Sequence, residues 1–385
     1  MVAHRGPSGR PATAGPGHPL PVSRSVRRAV GVPAAPRRSP ALRRSGGRCH
    51  AAPPDDRIPP GRPLGGPVPP QTSQPDPLTT LEGVELVVVA YRSRAQVEQM
   101  LAGLPADLPL VVVDNSDGSD GLRGVVEARQ HGRYLAGGGV GFARAATRGA
   151  LSSTAEVVLF VNPDVRPTPA HLAAVVADVR ADPALAASAA CIVDADGPEA
   201  GRPQIGCGGW EPTVRRVAAH AAGLHKRLPT AGVYAKPLAN QPLRVDWVSG
   251  GCMAVRREVF ERLGGFDTDF YVYNEDMAFG RAARAAGLHE VLRTDVLVPG
   301  SSGGSGAPSL EMMRLRGASM ARYVRKHHAL APALAMRALT AAGYAVRAAE
   351  QVAKGDRRRA REHWAYAVGA ATATATVGGR VVTRG

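Results

Sequence analysis

Residues 84–118 read VELVVVAYRSRAQVEQMLAGLPADLPLVVVDNSDG, and their pattern decides the fold. Val84–Ala90 is a continuous, β-branched apolar run, the mark of a strand buried on both faces. Ser93 stands where a helix N-cap belongs, and the spacing predicts a helix from there to about Gly103. Leu110–Val113 is a second buried strand, and it runs into Asp114-Asn115-Ser116-Asp117-Gly118, which is turn chemistry. Strand, helix and strand joined by short loops make a crossover unit, which demands parallel pairing.

The same alternation continues outward. A short strand near Tyr134–Leu135 leads through Gly137-Gly138-Gly139-Val140-Gly141 into a helix over Phe142–Leu151. Val157–Val161 is a further strand, followed by Asn162-Pro163-Asp164, a helix over Pro169–Ala181 and a strand over Ala186–Val193. The expectation is an α/β fold around a mostly parallel sheet. Ligands in such sheets sit beyond the carboxyl ends of the strands. Asp114 and Asp164 both fall there, on one rim. A carboxylate on a rigid turn is what a diphosphate-bound Mg²⁺ or Mn²⁺ uses, one or two acids with the substrate's phosphates completing the shell. Ordinary turn chemistry produces the same Asn-Pro-Asp triplet. The glycine cluster lacks dinucleotide-binding spacing.

Residues 194–243 hold turns and a basic helical piece around Val214–Lys226, with no readable functional code. Val245–Val255 then reads as strand, glycine turn and strand, bringing Trp247 and the backbone of Gly250-Gly251 next to the acids that follow. Phe270–Tyr273 is an aromatic, extended run; Asn274 takes the N-cap position, and Glu275 and Asp276 open a helix. Two acids at a helix start beneath aromatic walls suit a general base, although helix capping alone accounts for the triplet.

Charge is unevenly spread over the 385 residues. Residues 1–80 hold 18 of 33 prolines, 12 Arg and three Asp, without apolar periodicity, and are expected to be a disordered tail. No secretory signal is legible there, and translation is expected to begin further in. The tail carries +9 and residues 311–385 carry +10 (14 basic, 4 acidic), so residues 81–310 carry −3 of the net +16. The basic balance therefore says little about the core. Cys49, Cys191, Cys207 and Cys252 have no metal-like spacing, which suits a reducing cytoplasm. No run reaches the ~20 apolar residues of a spanning helix. From Leu310 the composition is helical. Leu330, Leu334, Ala338, Ala341, Ala345, Ala349 and Val352 trace one helix face flanked by Arg and Lys. That face fits either an anionic membrane surface or packing on the core.

Six pieces in order resemble the family 2 glycosyltransferases of the GT-A fold, in their bacterial rhamnosyltransferase-like branch. They are VVVAYRS (87–93), VVVDNSDGSDG (111–121), GFARA (141–145), LFVNPDV (159–165), WVSGGCMAVRREVFERLGGFD (247–267) and YNEDMAFGRAARAAG (273–287). The resemblance implies a catalytic domain over residues 81–308 and a helical extension over 309–385. It implies an inverting transfer from a UDP- or dTDP-linked sugar to a hydroxyl of a glycan or lipid-linked acceptor, in cell-surface glycan synthesis. It also implies Asp276 as base with Glu275 steadying it, and Asp164 on Mg²⁺ or Mn²⁺. The donor would be met by Ala90, Tyr91, Asp114, Asn115, Gly141, Phe142, Asn162, Trp247, Gly250 and Gly251. The chain departs from the pattern at Gly139, Ala146 and Thr147, often Asn, and at Ala278, commonly a second Asp. Val296–Ser305 lacks the usual His, so an all-oxygen metal shell is expected.

Two other readings compete. A sugar nucleotidyltransferase would show a Gly-rich, basic triphosphate loop after the first strand, and Ala90-Tyr91-Arg92-Ser93 is not one. A non-catalytic nucleic-acid binder would use the basic ends, which the near-neutral core and its rim of acids speak against; no nucleic acid is expected as a partner. The location expected is cytoplasmic, peripheral to the inner membrane face.

Overall fold

The computed structural model describes residues 76–196, 200–228, 230–236, 241–301 and 310–383. Most of the expected tail lies outside them. Its last residues do not: Pro77–Thr80 form a helical turn, α1, where the Asp76 carboxylate accepts from the Leu78 N–H at 3.0 Å and Pro77 suits the first helical position.

The first half of the chain follows the predicted alternation. It comprises β1 (Val84–Ala90), α2 (Arg94–Leu101), β2 (Leu110–Asp114), α3 (Leu122–Glu127), β3 (Gly132–Ala136), α4 (Phe142–Leu151), β4 (Val157–Val161), α5 (Pro169–Ala181) and β5 (Leu185–Asp194). Next come β6 (Gly208–Gly209), α6 (Val214–Ala221), β7 (Pro242–Val245), β8 (Trp247–Val248), β9 (Cys252–Arg256), α7 (Arg257–Arg262), α8 (Glu275–Ala285) and β10 (His289–Gly300). The chain closes with α9 (Leu310–His327), α10 (Leu330–Ala353), α11 (Arg357–Thr372), β11 (Ala375–Val377) and β12 (Arg380–Thr383).

Eight strands form one sheet in the order β3-β2-β1-β4-β9-β5-β10-β7. Pairing is parallel except where β9 lies between β4 and β5 and where β7 joins the edge. The expected α/β layout with a mostly parallel sheet and C-terminal helices is therefore what the chain adopts. Because β9 runs against its neighbours, the residues just before it, Gly250 and Gly251, reach the rim where the parallel strands end. β1, β2 and β4 are buried nearly throughout, as their unbroken apolar runs require.

Two expectations are corrected. Phe270–Tyr273 is not an extended ladder, and Tyr273 and Asn274 both adopt positive φ (70° and 71°). Neighbouring elements satisfy its backbone: the Phe142 N–H donates to the Tyr271 carbonyl at 2.7 Å, and the Ser319 hydroxyl to the Val272 carbonyl at 2.9 Å. The C-terminal region is not helical to its end, because β11 and β12 form a hairpin against α9.

The apolar face of α10 is turned outward. Leu330, Leu334 and Val352 are 67%, 50% and 63% exposed, whereas Ala333, Met336 and Ala348 on the other side are buried. The helix packs on α6, α9 and α11 through that other side. No helix among the described residues is long and apolar enough to cross a membrane.

Candidate active site

The rim is assembled from four loops. Asp114 ends β2 and is buried; its Oδ1 accepts from the Ser116 N–H (2.9 Å) and hydroxyl (2.6 Å), and its Oδ2 from the Tyr134 hydroxyl (2.7 Å). Burial, with this carboxylate as acceptor, pushes the Tyr134 phenol up to about 12. Asn115 links three segments. Its N–H donates to the Ala90 carbonyl at 2.7 Å, and its Oδ1 accepts from the Val140 N–H at 2.8 Å. The glycine cluster is thus fastened to the ends of β1 and β2. Gly141, at φ +91°, lies so close to the Tyr271 carbonyl that a side chain there would overlap it. Phe142, next in line, packs its ring 6.0 Å from Phe266. Ala90 is buried at the strand end, and Tyr91 beside it is 52% exposed.

The Asn162-Pro163-Asp164 turn is pinned from two sides. The Asn162 N–H donates to the Gly251 carbonyl at 2.9 Å, and the Asp164 carbonyl accepts from the Ser301 N–H at 3.0 Å. The metal-turn candidate, the glycine turn before β9 and the end of β10 therefore meet. Among the described residues, no group of three or more His, Cys, Asp or Glu is arranged to hold a metal. One rim carboxylate among backbone oxygens fits a hard cation whose remaining ligands come from phosphate and water.

Glu275 and Asp276 open α8, but Asn274 does not cap it through its side chain. Its Nδ2 lies 3.6 Å from Met277 Sδ, and its left-handed backbone turns the chain into the helix instead. Asp276 Oδ1 accepts from the Met277 N–H at 2.7 Å. Burial pushes the Asp276 carboxyl up to about 6, and the N–H groups of Met277 and Gly250 pull against that rise. The Glu275 carboxyl stands well above the carboxylate range, through burial and then through the charge of Asp276. Its Oε2 is buried and has no hydrogen-bond partner among the described residues. The two acids are thus unlike: burial brings one near the working range of a base and raises the other well above the carboxylate range behind it.

Trp247 lies beneath the surface of the site. It is buried at 3% exposure, donates to the Trp210 carbonyl at 3.4 Å and stacks edge-on with Tyr234 at 5.9 Å. Packed under α8, it is the floor of the site, because the β8 backbone turns its ring inward.

Two further acids escaped sequence reasoning. Glu211 accepts from Arg281 (2.7 Å), Arg284 (2.5 Å) and the Tyr323 hydroxyl (2.7 Å), with His328 at 3.2 Å, so it ties α8 to α9. Glu290 of β10, 1% exposed, accepts from the Val248 N–H at 2.7 Å and braces the turn before β9. Burial pushes its carboxyl well above the usual range. Neither had a local signal: Glu211 lies in a turn-rich segment and Glu290 in a strand.

Residues 86–264 match the model of the Glycosyl transferase family 2. Two curated relatives, N-acetylglucosaminyl-diphospho-decaprenol L-rhamnosyltransferases of two Mycobacterium tuberculosis strains (CDC 1551 / Oshkosh and H37Rv), are each 29% identical over 224 residues. Each alignment covers 52% of this chain and 70% of the relative. Among solved structures, the mannosyltransferase PcManGT from Pyrobaculum calidifontis, in complex with GDP-Man and Mn²⁺, aligns at TM-score 0.46 and 21% identity, over 75% of this chain and 85% of its own. GalNAc-T7 with UDP, GalNAc and Mn²⁺ aligns at 0.44 and 16%, over 63% of this chain and half of its own. The ordered motifs thus meet at one rim, in a chain whose residues 86–264 are similar to the Glycosyl transferase family 2 and which is similar over 224 residues to these rhamnosyltransferases.

Proposed function

We propose that the protein transfers a sugar from a UDP- or dTDP-linked donor to a hydroxyl of a lipid-linked glycan acceptor. Asp276 takes the hydroxyl proton as the acceptor oxygen attacks the anomeric carbon from the face opposite the leaving diphosphate, so the centre inverts. The observation that carries this reading is the Asp276 carboxyl itself. It lies at the rim beside the Gly250 turn, and burial brings it to about 6, where it is ionised at neutral pH yet still basic enough to take a proton. Glu275, buried beside Asp276, steadies the base.

On this reading, Asp114 and Asn115 receive the nucleoside end between the strand termini, while Tyr91 and Phe142 flank it. Asn162, Gly250 and Gly251 shape the diphosphate side. Asp164 would hold Mg²⁺ or Mn²⁺; the cation, when bound, neutralises the departing nucleoside diphosphate. The relatives' names suggest L-rhamnose as the sugar and a diphospho-prenol-linked amino sugar as the acceptor.

A lipid-linked acceptor also accounts for the outward face of α10. Exposed Leu330, Leu334, Val346 and Val352, with Trp364 of α11 and the exposed Arg357, Arg358 and Arg359, suit an anionic cytoplasmic membrane surface. The test is incubation of purified protein with UDP-, dTDP- and GDP-sugars, Mg²⁺ or Mn²⁺, and a prenyl-diphosphate-linked N-acetylglucosamine. Transfer from a UDP- or dTDP-sugar with inversion, lost in Asp276→Asn, is the expected outcome. Retained configuration, or transfer that survives the substitution, would remove Asp276 from the role of base.

A further inference from the structure

The C-terminal helices place one cation where the proposed reaction has no assigned use for it. Gly317 of α9 and Gly369 of α11 mark a close crossing, since a side chain on either would overlap the backbone of the other helix. The crossing brings Arg316 to the edge of the site. Its guanidinium carbon lies 4.6 Å from the centre of the Tyr273 ring, three residues before Asp276. Tyr234 and Tyr366 stand close enough to interact with Arg316 and with each other, and Tyr234 also feels the charge of Asp276.

Three other basic side chains on α9 have occupations. Arg314 donates to the Thr374 carbonyl, Arg322 approaches Asp269 at 3.6 Å, and Lys326 bridges Asp267 and Asp269 at 2.5 and 2.9 Å. No described carboxylate lies within ion-pairing distance of Arg316, an exposed residue whose guanidinium is held among the Tyr273, Tyr234 and Tyr366 side chains. An accessible guanidinium of this kind is a fork prepared for phosphate oxygens. Tyr234 and Tyr366 are also walls of a shallow, mostly apolar cleft of about 20 Å³ that Val217, Val233, Met320 and Tyr344 line with Arg347. Charge and apolar surface thus follow one another away from Asp276.

We propose that Arg316 binds the diphosphate of the acceptor, with the sugar hydroxyl directed to Asp276. The proposal rests on the glycosyl-transfer reading and adds the residue that recognises the acceptor's diphosphate. Two classes of anion share this chemistry, the acceptor's own diphosphate and the headgroups of an anionic bilayer, and the diphosphate is favoured because Arg316 stands beside the site, at Tyr273.

The test compares wild type with Arg316→Gln and Arg316→Lys. Acceptor KM is measured for one sugar carried on a short prenyl diphosphate and for the same sugar on a plain alkyl chain. Binding of the prenyl diphosphate alone is measured by calorimetry without donor. We expect Arg316→Gln to raise KM and weaken binding of the diphosphate probe by about 10- to 100-fold, the loss of one or two charge-assisted hydrogen bonds. The effect on kcat, on the alkyl acceptor and on UDP or dTDP binding should stay within a few-fold, and Arg316→Lys should fall between. Equal losses for both acceptors, or full probe binding by Arg316→Gln, would overturn the assignment. So would a wild type that does not bind the probe. Loss of binding to phosphatidylglycerol vesicles with acceptor KM unchanged would return Arg316 to the membrane surface. A wild type that binds the probe but transfers to neither acceptor would count against the glycosyl-transfer reading, while the calorimetry still decides the subsite.

Discussion

Replacing Asp276 with Asn should abolish transfer and, at the same time, make the protein more stable. The folded environment raises this carboxyl from 3.8 to about 6, so the native state binds its proton more tightly than the unfolded chain does. A raised carboxyl contributes its stability below the unfolded value and loses it as pH climbs through the folded one. At pH 8 the ionised Asp276 therefore costs about 3 kcal/mol, from a difference of roughly two pH units at ~1.36 kcal/mol each. Asn keeps the acceptor oxygen for the Met277 and Gly250 N–H groups and carries no charge, so that cost disappears. For a fold of this size the gain corresponds to a rise of roughly 5 °C in melting temperature at pH 8. It should shrink to about 1 kcal/mol at pH 4.5, where the native Asp276 is protonated. Thermal melts of both proteins, without donor or metal, at pH 8, 6 and 4.5 supply the test, alongside a transfer assay in which the rate falls by about 10²–10⁴. A variant no more stable than wild type at pH 8 would refute the claim that burial dominates this carboxyl, and with it the account of its basicity.

Other expectations follow from the same geometry. In the wild type the rate should fall about tenfold per pH unit below roughly 6 as Asp276 takes up its proton; a rate flat from pH 7 to 5 would exclude that base. Asp164→Ala should remove the gain in UDP or dTDP affinity that Mg²⁺ or Mn²⁺ confers, with Mg²⁺ serving the wild type about as well as Mn²⁺; calorimetry with and without metal shows whether it does. Glu211→Ala leaves Arg281 and Arg284 without their shared carboxylate and should cost about 2 kcal/mol, below the range for fully buried pairs because both arginines are partly exposed; an unchanged urea midpoint would contradict its role in holding α8 on α9. Leu330→Asn with Leu334→Asn and Val352→Asn should leave the melting temperature within a few degrees but reduce co-sedimentation with anionic liposomes at least tenfold, and unaltered sedimentation would detach that face from the membrane.

Where a signal is local, it could be read from the chain. β1, β2 and β4 announce themselves because a strand buried on both faces must be apolar at every position. The acids Asp114 and Asp164 could be placed at strand ends because parallel connections force all those ends to one rim. Asp276 could be named because its helix start lies within an ordered set of motifs. The sequence also showed an apolar stripe along α10 but not which way it faces, since periodicity defines a side of a helix and not its neighbour. Only packing turned Leu330, Leu334 and Val352 outward. Packing alone also sent Trp247 into the floor of the site, gathered Arg281, Arg284 and Tyr323 on Glu211, and put Arg316 within reach of Tyr273. These are contacts between residues dozens of positions apart. What decides them is which surfaces are left to meet once the sheet has formed, and no short window of sequence contains that information.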